Sequence, residues 1–136
     1  MLTISLLGRG ECEARLANTD VRVLTSKSPA FGGTGSSFSS TDLLAVALGT
    51  CIATDIEPVA ERNGMALDAI RVDVEKELSV QPKRIISLHT HVRLPAGTDD
   101  VLVVKLRRAA ATCLVQRSLS PDIRFDMTFW RGDEVC

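Results

Sequence analysis

Alternating apolar and polar residues mark three stretches of the chain as half-buried β-strands. Apolar residues recur at every second position through most of 69–80, 84–95 and 123–130, the period of a strand with one face on a core. The predicted inward faces are Ile70, Val72, Val74 and Leu78, then Ile86, Leu88, Val92 and Leu94, and finally Ile123, Phe125, Met127 and Phe129. Two shorter segments, 2–7 and 11–24, also read as strands joined by the turn at 8–10.

A long helix is predicted after the Gly- and Ser-rich loop at 26–40. Ser39 is a suitable N-cap, Asp42 completes a capping-box pattern, and Asn63-Gly64 is a typical stop. Pro58 lies inside this helix and is expected to kink it. From Leu43 to Ile56 the helix is apolar almost all the way round, so it must be enclosed, and a second subunit is the expected supplier of cover.

A second helix is predicted from Thr98-Asp99-Asp100 to about Ser118, with a capping residue and an acidic first turn. Its predicted apolar side comprises Val101, Leu102, Leu106, Ala109, Ala110, Cys113 and Leu114. The element order β-β-β-α-β-β-α-β predicts an α+β fold, with a single domain over residues 1–136.

Composition narrows the class of function. Sixteen basic against seventeen acidic residues give a net charge of −1, which offers no broad electrostatic footprint for nucleic acid or an anionic membrane. No apolar run approaches the roughly 20 residues expected of a membrane span. The amino terminus lacks a basic leader before a long apolar stretch, so a cytoplasmic protein is expected.

The cysteines are the main candidates for chemistry. Cys51 lies in the first predicted helix and Cys113 in the second, so packing of the two helices would bring the thiols within disulfide range. Core packing explains the same two cysteines without any reaction. Cys12 and Cys136 are expected to be peripheral, the latter in a mobile tail. No cofactor is predicted, and zinc is disfavoured because the cysteines form no short-range ligand pair.

Two histidines form the other candidate cluster. His89 and His91 lie two residues apart on the polar side of a predicted strand. Such a pair can begin a metal site, but no third ligand is evident nearby. Solvated strand histidines are therefore the expected outcome, and no metal site is predicted.

The segment TDLLAVALGTCIATDI resembles the hallmark helix of the OsmC/Ohr family, the osmotically inducible and organic-hydroperoxide-resistance proteins. The residues that carry the resemblance are Asp42, Leu43-Leu44, Ala47-Leu48-Gly49-Thr50-Cys51 and Asp55. Cys113, within AAATCLVQRSLSPDIRFDMTF, matches the second family cysteine, and FGGTG precedes the first helix as in the family. Thr41 and Leu114 depart from the common pattern, which has an acidic residue and a proline at these places.

This resemblance implies an OsmC-like fold, with two central helices packed on antiparallel sheets in an intertwined homodimer. It implies a thiol-dependent peroxidase in which Cys51 attacks an organic hydroperoxide and Cys113 resolves it as a disulfide. An external dithiol then reduces the pair. The family also uses an arginine from the amino-terminal strands, for which Arg9, Arg15 and Arg22 are candidates.

Two questions stay open from the sequence. The acidic partner of that arginine is expected near Thr41 or Asp42, but Asp42 lies about half a helical turn out of phase with Cys51, so it either caps the helix or acts across the dimer. The alternative function is a non-catalytic dimeric protein that binds a small ligand, with incidental or regulatory cysteines. A thiol-dependent hydrolase or transferase is disfavoured because no histidine is placed to serve Cys51.

Overall fold

A computed structural model describes all residues of the protein, Met1–Cys136. The helices and strands are β1 (Leu2–Gly8), β2 (Glu11–Leu16), β3 (Arg22–Ser26), α1 (Ser40–Arg62), β4 (Arg71–Val80), β5 (Lys83–Leu94), α2 (Asp100–Ala110), α3 (Leu114–Ser118), β6 (Arg124–Arg131) and β7 (Glu134–Val135). The chain divides into an amino-terminal unit, Met1–Leu44, and a carboxy-terminal unit, Ala45–Cys136.

The amino-terminal unit contains a three-stranded antiparallel meander in the order β1-β2-β3. The segment 11–24 contributes two of these strands, because a turn with Asn18 at φ 62° interrupts it. Large apolar side chains of β1 remain exposed, among them Ile4 at 63 % and Leu6 at 77 %. This sheet therefore leaves apolar surface without cover in the single chain.

The capping pattern at the start of α1 is confirmed. The amide of Asp42 donates to Ser39 Oγ at 3.1 Å, and the amide of Ser39 donates to Asp42 Oδ2 at 2.8 Å. At the other end Gly64 takes φ +70°, and the Met65 amide donates to the Ala60 carbonyl at 3.0 Å. Both ends of the helix are thus set by local hydrogen bonds.

One stripe of α1 is buried, and much of the rest is not. The buried residues recur at helical spacing: Ala45, Leu48, Gly49, Ile52, Ile56 and Ala60. Val46, away from this stripe, is 41 % exposed. A single chain therefore leaves part of this apolar helix uncovered, and the expectation that the helix needs cover from elsewhere stands.

The expectation that no segment is apolar enough to span a bilayer is wrong. α1 has 23 residues and an 18-residue window of mean hydropathy 1.6, which meets that criterion by length and composition alone. Threonines interrupt the apolar run in the sequence, but Thr50 and Thr54 donate their hydroxyls to carbonyls one turn earlier, at 2.8 and 3.0 Å. A core helix of a soluble protein can have the same length and composition, so this feature by itself is weak evidence for a membrane location.

The carboxy-terminal unit contains a four-stranded sheet in the order β4-β5-β6-β7. All neighbours are antiparallel except β5 and β6, so the expected antiparallel sheets include one parallel pair. Helices α2 and α3 form the crossover between β5 and β6, and a parallel pair requires such a connection. The core of this unit combines buried residues from four elements: Leu48, Ile52, Ile56, Leu88, Val92, Leu106 and Phe129.

Two details of the predicted core differ from the structure. The pairs Glu77–Ser87 and Leu78–Ile85 leave Ile86 as an extra residue in β5, and this bulge buries Ile85 where Ile86 was expected. In α2 the buried stripe is Leu102, Val103, Leu106 and Ala110, whereas Val101, expected inside, is 66 % exposed. Leu114, which was also expected inside, begins α3 and is 74 % exposed.

The carboxyl terminus is not the mobile tail that was expected. Val135 pairs with Trp130 in the β6–β7 hairpin. The Cys136 amide donates to the Phe129 carbonyl at 3.0 Å, and the Arg107 guanidinium donates to the Cys136 carbonyl. Backbone pairing, which residue types in a short polar tail do not reveal, holds this segment.

Candidate active site

Two thiols and one carboxylate meet inside the carboxy-terminal unit. The Sγ atoms of Cys51 and Cys113 and a carboxylate oxygen of Asp55 all lie within 4.8 Å of one another. The structure thus brings together the two cysteines that the sequence singled out. It adds Asp55, which the sequence offered only as a motif residue, although its spacing of four from Cys51 places both on one helix face.

Cys51 and Asp55 are neighbours because they lie four residues apart on α1, and such residues share a helix face. The Cys51 thiol donates to Asp55 Oδ2 at 3.9 Å, and both residues are half-buried.

The buried Gly49, two residues earlier, allows α1 to approach β4 closely. A Cβ at Gly49 would lie only 2.9 Å from Val74 Cγ2, so the absent side chain sets the distance between helix and strand.

Cys113 does not lie in the middle of a helix, as the sequence predicted. Helix α2 ends at Ala110, and Cys113, with φ −49° and ψ 116°, is the N-cap of the short α3. Its Sγ accepts a hydrogen bond from the Gln116 amide at 3.4 Å, while the Thr112 hydroxyl donates to the Ala109 carbonyl at 2.7 Å. These side chains bond to nearby backbone groups and thereby compete with continuation of the helix.

The two thiols differ in environment. Cys113 is fully buried, and burial is the main reason that the pKa of its thiol is raised. The amide of Gln116 acts in the opposite direction on that pKa, and the neighbouring Cys51 raises it further. Cys51 is the more accessible of the pair. A reagent that enters from solvent therefore reaches Cys51 first.

The arginine candidates have partners of their own. Arg15 and Arg22 both pair with Glu13, the latter at 3.7 Å, and the Arg15 guanidinium lowers the pKa of the Glu13 carboxyl. Arg9 lies in the β1–β2 turn with φ 53°. The assignment of one of these arginines to Cys51 stays a prediction.

The acidic-partner candidates both belong to the helix cap. The Thr41 hydroxyl lies 3.1 Å from Ser39 Oγ, and Asp42 forms the capping box with the same serine. The capping role of Asp42 is therefore confirmed. A role of either residue across a dimer stays a prediction.

The histidines lie outside the thiol cluster. His89 Nδ1 lies 3.7 Å from Asp126 Oδ2, and His91 Nδ1 accepts a hydrogen bond from Trp130 Nε1 at 3.2 Å. These contacts run across the β5–β6 pair and account for both imidazoles as sheet-surface residues. The remaining cysteines, Cys12 and Cys136, are free and half-buried.

Known proteins resemble this chain in sequence and in fold. Residues 33–128 match the family model described as OsmC-like protein. No curated protein sequence matches the chain. Among solved structures, a provisionally named osmotic stress induced and detoxification response protein from Psychrobacter arcticus is 25 % identical, with a TM-score of 0.86 over 94 % of this chain and 93 % of that one.

Two more distant structures share the fold. An organic hydroperoxide resistance protein OsmC from Legionella pneumophila is 15 % identical, with a TM-score of 0.74 over 96 % of this chain and 95 % of that one. An organic hydroperoxide resistance protein from Elizabethkingia anophelis is 12 % identical, with a TM-score of 0.73 over 97 % and 96 %. Because the family model spans more than half of the chain and includes Cys51, Asp55 and Cys113, the protein belongs to the OsmC-like family.

Proposed function

We propose that the protein is a thiol-dependent peroxidase that reduces organic hydroperoxides in defence against oxidative stress. Cys51 is the peroxidatic residue and Cys113 the resolving one. The observation that carries the proposal is the juxtaposition of an accessible and a buried thiol within 4.8 Å. Membership of a family that contains organic hydroperoxide resistance proteins supports it.

The chemistry follows from the order of access. The Cys51 thiolate attacks the distal peroxide oxygen, the O–O bond breaks, and the departing alkoxide takes a proton to become an alcohol. Asp55 Oδ2, 3.9 Å from the sulfur, is placed to accept the thiol proton beforehand. Cys51 is now a sulfenic acid, which is the reversible stage of thiol oxidation.

Resolution uses the buried thiol. The Cys113 sulfur attacks the Cys51 sulfur as its thiol loses its proton, the S–S bond forms, and the departing hydroxide takes up that proton to become water. An external dithiol then restores both thiols by exchange. Because Cys113 is already close to Cys51, the disulfide forms before a second peroxide can oxidise the sulfenic acid further.

A homodimer is part of this proposal. Members of the family are generally dimeric. Exposed apolar residues on α1 and β1, such as Val46 at 41 % and Ile4 at 63 %, provide surface that a second copy would cover. The amino-terminal arginines are proposed to stabilise the Cys51 thiolate in that assembly, which we place in the cytoplasm.

The second candidate is a dimeric protein that binds a small ligand without catalysis. An apolar groove of about 460 Å³ in the amino-terminal unit favours it, lined in part by Ile4, Leu6, Ala14 and Leu43. In that case the thiol cluster would have no role in peroxide chemistry.

The test is a single turnover with cumene hydroperoxide in the Cys12→Ser/Cys136→Ser background, which keeps only the clustered thiols. We expect rapid loss of one equivalent of peroxide and a Cys51–Cys113 disulfide, located by mass spectrometry after thiol blocking. Cys51→Ser should reduce the rate to that of the buffer. Cys113→Ser should instead leave a sulfenic acid at Cys51 that dimedone traps. Intact peroxide with both thiols free would refute the peroxidase and favour the binding protein.

A further inference from the structure

The cluster at Cys51 also has the composition of a metal site. Its three potential ligand atoms are two sulfurs and one carboxylate oxygen, all within 4.8 Å of one another. In a tetrahedral zinc site, bond lengths of about 2.0 to 2.3 Å place neighbouring ligand atoms roughly 3.5 to 3.8 Å apart. The Cys51 Sγ to Asp55 Oδ2 distance of 3.9 Å is already close to that range.

The spacing of the cysteines alone disfavours zinc, but one short-range ligand pair includes a carboxylate. Cys51 and Asp55, four residues apart on α1, place a sulfur and an oxygen ligand on the same helix face. Cys113 then arrives from the α2–α3 connection and supplies the third ligand. The chain thus combines a local ligand pair with one distant ligand, as zinc sites commonly do.

The ligand types select the class of ion. Thiolates favour zinc and similar soft or borderline divalent cations over Mg²⁺ and Ca²⁺, which prefer oxygen. Cys113 is fully buried, whereas Cys51 and Asp55 are half-buried, so water is the expected fourth ligand of a tetrahedral ion held by these three residues.

We propose that Cys51, Asp55 and Cys113 bind a zinc-class divalent cation when both thiols are reduced. Binding occupies both sulfurs, so it excludes disulfide formation, and an oxidised pair in turn excludes the metal. The existence of the metal site does not depend on the protein being a peroxidase. The expectation that bound metal inhibits peroxide turnover does rest on the proposed function.

Cobalt(II) is the probe because its thiolate complexes absorb in the near ultraviolet and its tetrahedral complexes in the visible. Reduced, chelator-treated Cys12→Ser/Cys136→Ser protein is titrated anaerobically with Co²⁺ and then with Zn²⁺. We expect thiolate-to-cobalt charge-transfer and tetrahedral bands that saturate at one ion per chain, and their loss on addition of Zn²⁺.

Variants test each ligand. Loss of an outer-shell partner typically weakens metal affinity by about 10- to 100-fold, so Asp55→Asn, which removes a ligand, should weaken it at least tenfold. Cys113→Ser should remove about half of the charge-transfer intensity. Glu57→Gln, an exposed acid on the same helix, is the matched control and should leave the affinity unchanged.

Three results would overturn the metal site: no charge-transfer band at saturating Co²⁺, an Asp55→Asn affinity equal to that of Glu57→Gln, or alkylation of Cys51 and Cys113 at the same rate with and without Zn²⁺. The alkylation arm needs no cluster variant, so it remains decisive if a variant fails to fold. Peroxidase turnover is measured separately in chelator. Metal binding without turnover would refute only the proposed function, and turnover without metal binding would refute only this inference.

Discussion

Substitution of Gly49 by alanine tests whether close approach of α1 to β4 positions the thiol cluster. Gly49 is buried, two residues before Cys51, and a Cβ there would lie 2.9 Å from Val74 Cγ2 and 3.9 Å from Val72 Cγ1. Contacts below 3.0 Å essentially do not occur for real Cβ atoms, so one element must move. Val74 is stiff at χ1 and belongs to a paired strand, so the helix is the element expected to shift.

The expected change in the free energy of unfolding is the balance of two opposing effects. Alanine gains about 1 kcal/mol over glycine in a helix interior. Overpacking of a filled core costs about 1 to 3 kcal/mol. Gly49→Ala should therefore lower the free energy of unfolding by about 1 kcal/mol net, the middle of that balance. In a Val74→Ala background the obstructing methyl is gone, so the same change should raise it by about 1 kcal/mol.

Urea unfolding of the wild type, Gly49→Ala, Val74→Ala and the double variant measures the coupling energy between positions 49 and 74. The proteins are reduced and compared at one fixed concentration, because the proposed dimer would make apparent stability depend on it. Gly97→Ala is the control, since a Cβ at Gly97 would meet no other atom within 4 Å. A coupling below about 0.5 kcal/mol, the usual error of additivity, would show that Gly49 does not set the helix–strand distance.

Two further predictions concern a helix cap and a buried thiol. Asp42→Ala removes the acceptor for the Ser39 amide and should lower the free energy of unfolding by about 1 kcal/mol in urea titrations; an unchanged midpoint would rule out the capping role. Burial raises the pKa of the Cys113 thiol in the folded state above that of the unfolded chain. The stability that the buried neutral thiol contributes is therefore complete below the unfolded thiol's pKa, and it is lost as the pH rises through the folded thiol's pKa. In metal-free buffer, thermal unfolding should show the wild type losing more stability than Cys113→Ala above about pH 8.5; parallel pH profiles would contradict this.

Local patterns in the sequence were sufficient to predict most of the helices and strands. The strand period anticipated β4, β5 and β6, and the three-residue spacing of Ser39 and Asp42 anticipated the capping box. Gly64 marked the end of α1. Each of these features depends on groups within a few residues of one another, and local spacing therefore encodes it.

Two of the predictions that failed depend on backbone pairing between strands, which the residue types of a single segment do not show. The bulge that buries Ile85 in place of Ile86 follows from pairing with β4. The ordered carboxyl terminus follows from pairing of β7 with β6. The break before Cys113 has a local hydrogen bond, but helix propensity alone gave no reason to prefer it over one continuous helix.

The sequence by itself determined the type and order of the main elements and the family to which the chain belongs. It also determined that Cys51 and Asp55 share one face of α1, because helix geometry places residues four apart together. Only the tertiary structure decided that Cys113 joins them, in a fully buried position at the start of α3. That contact joins residues far apart in sequence, and it exists because α1 and the α2–α3 connection pack into the same core, a result of shape and burial that no local pattern contains.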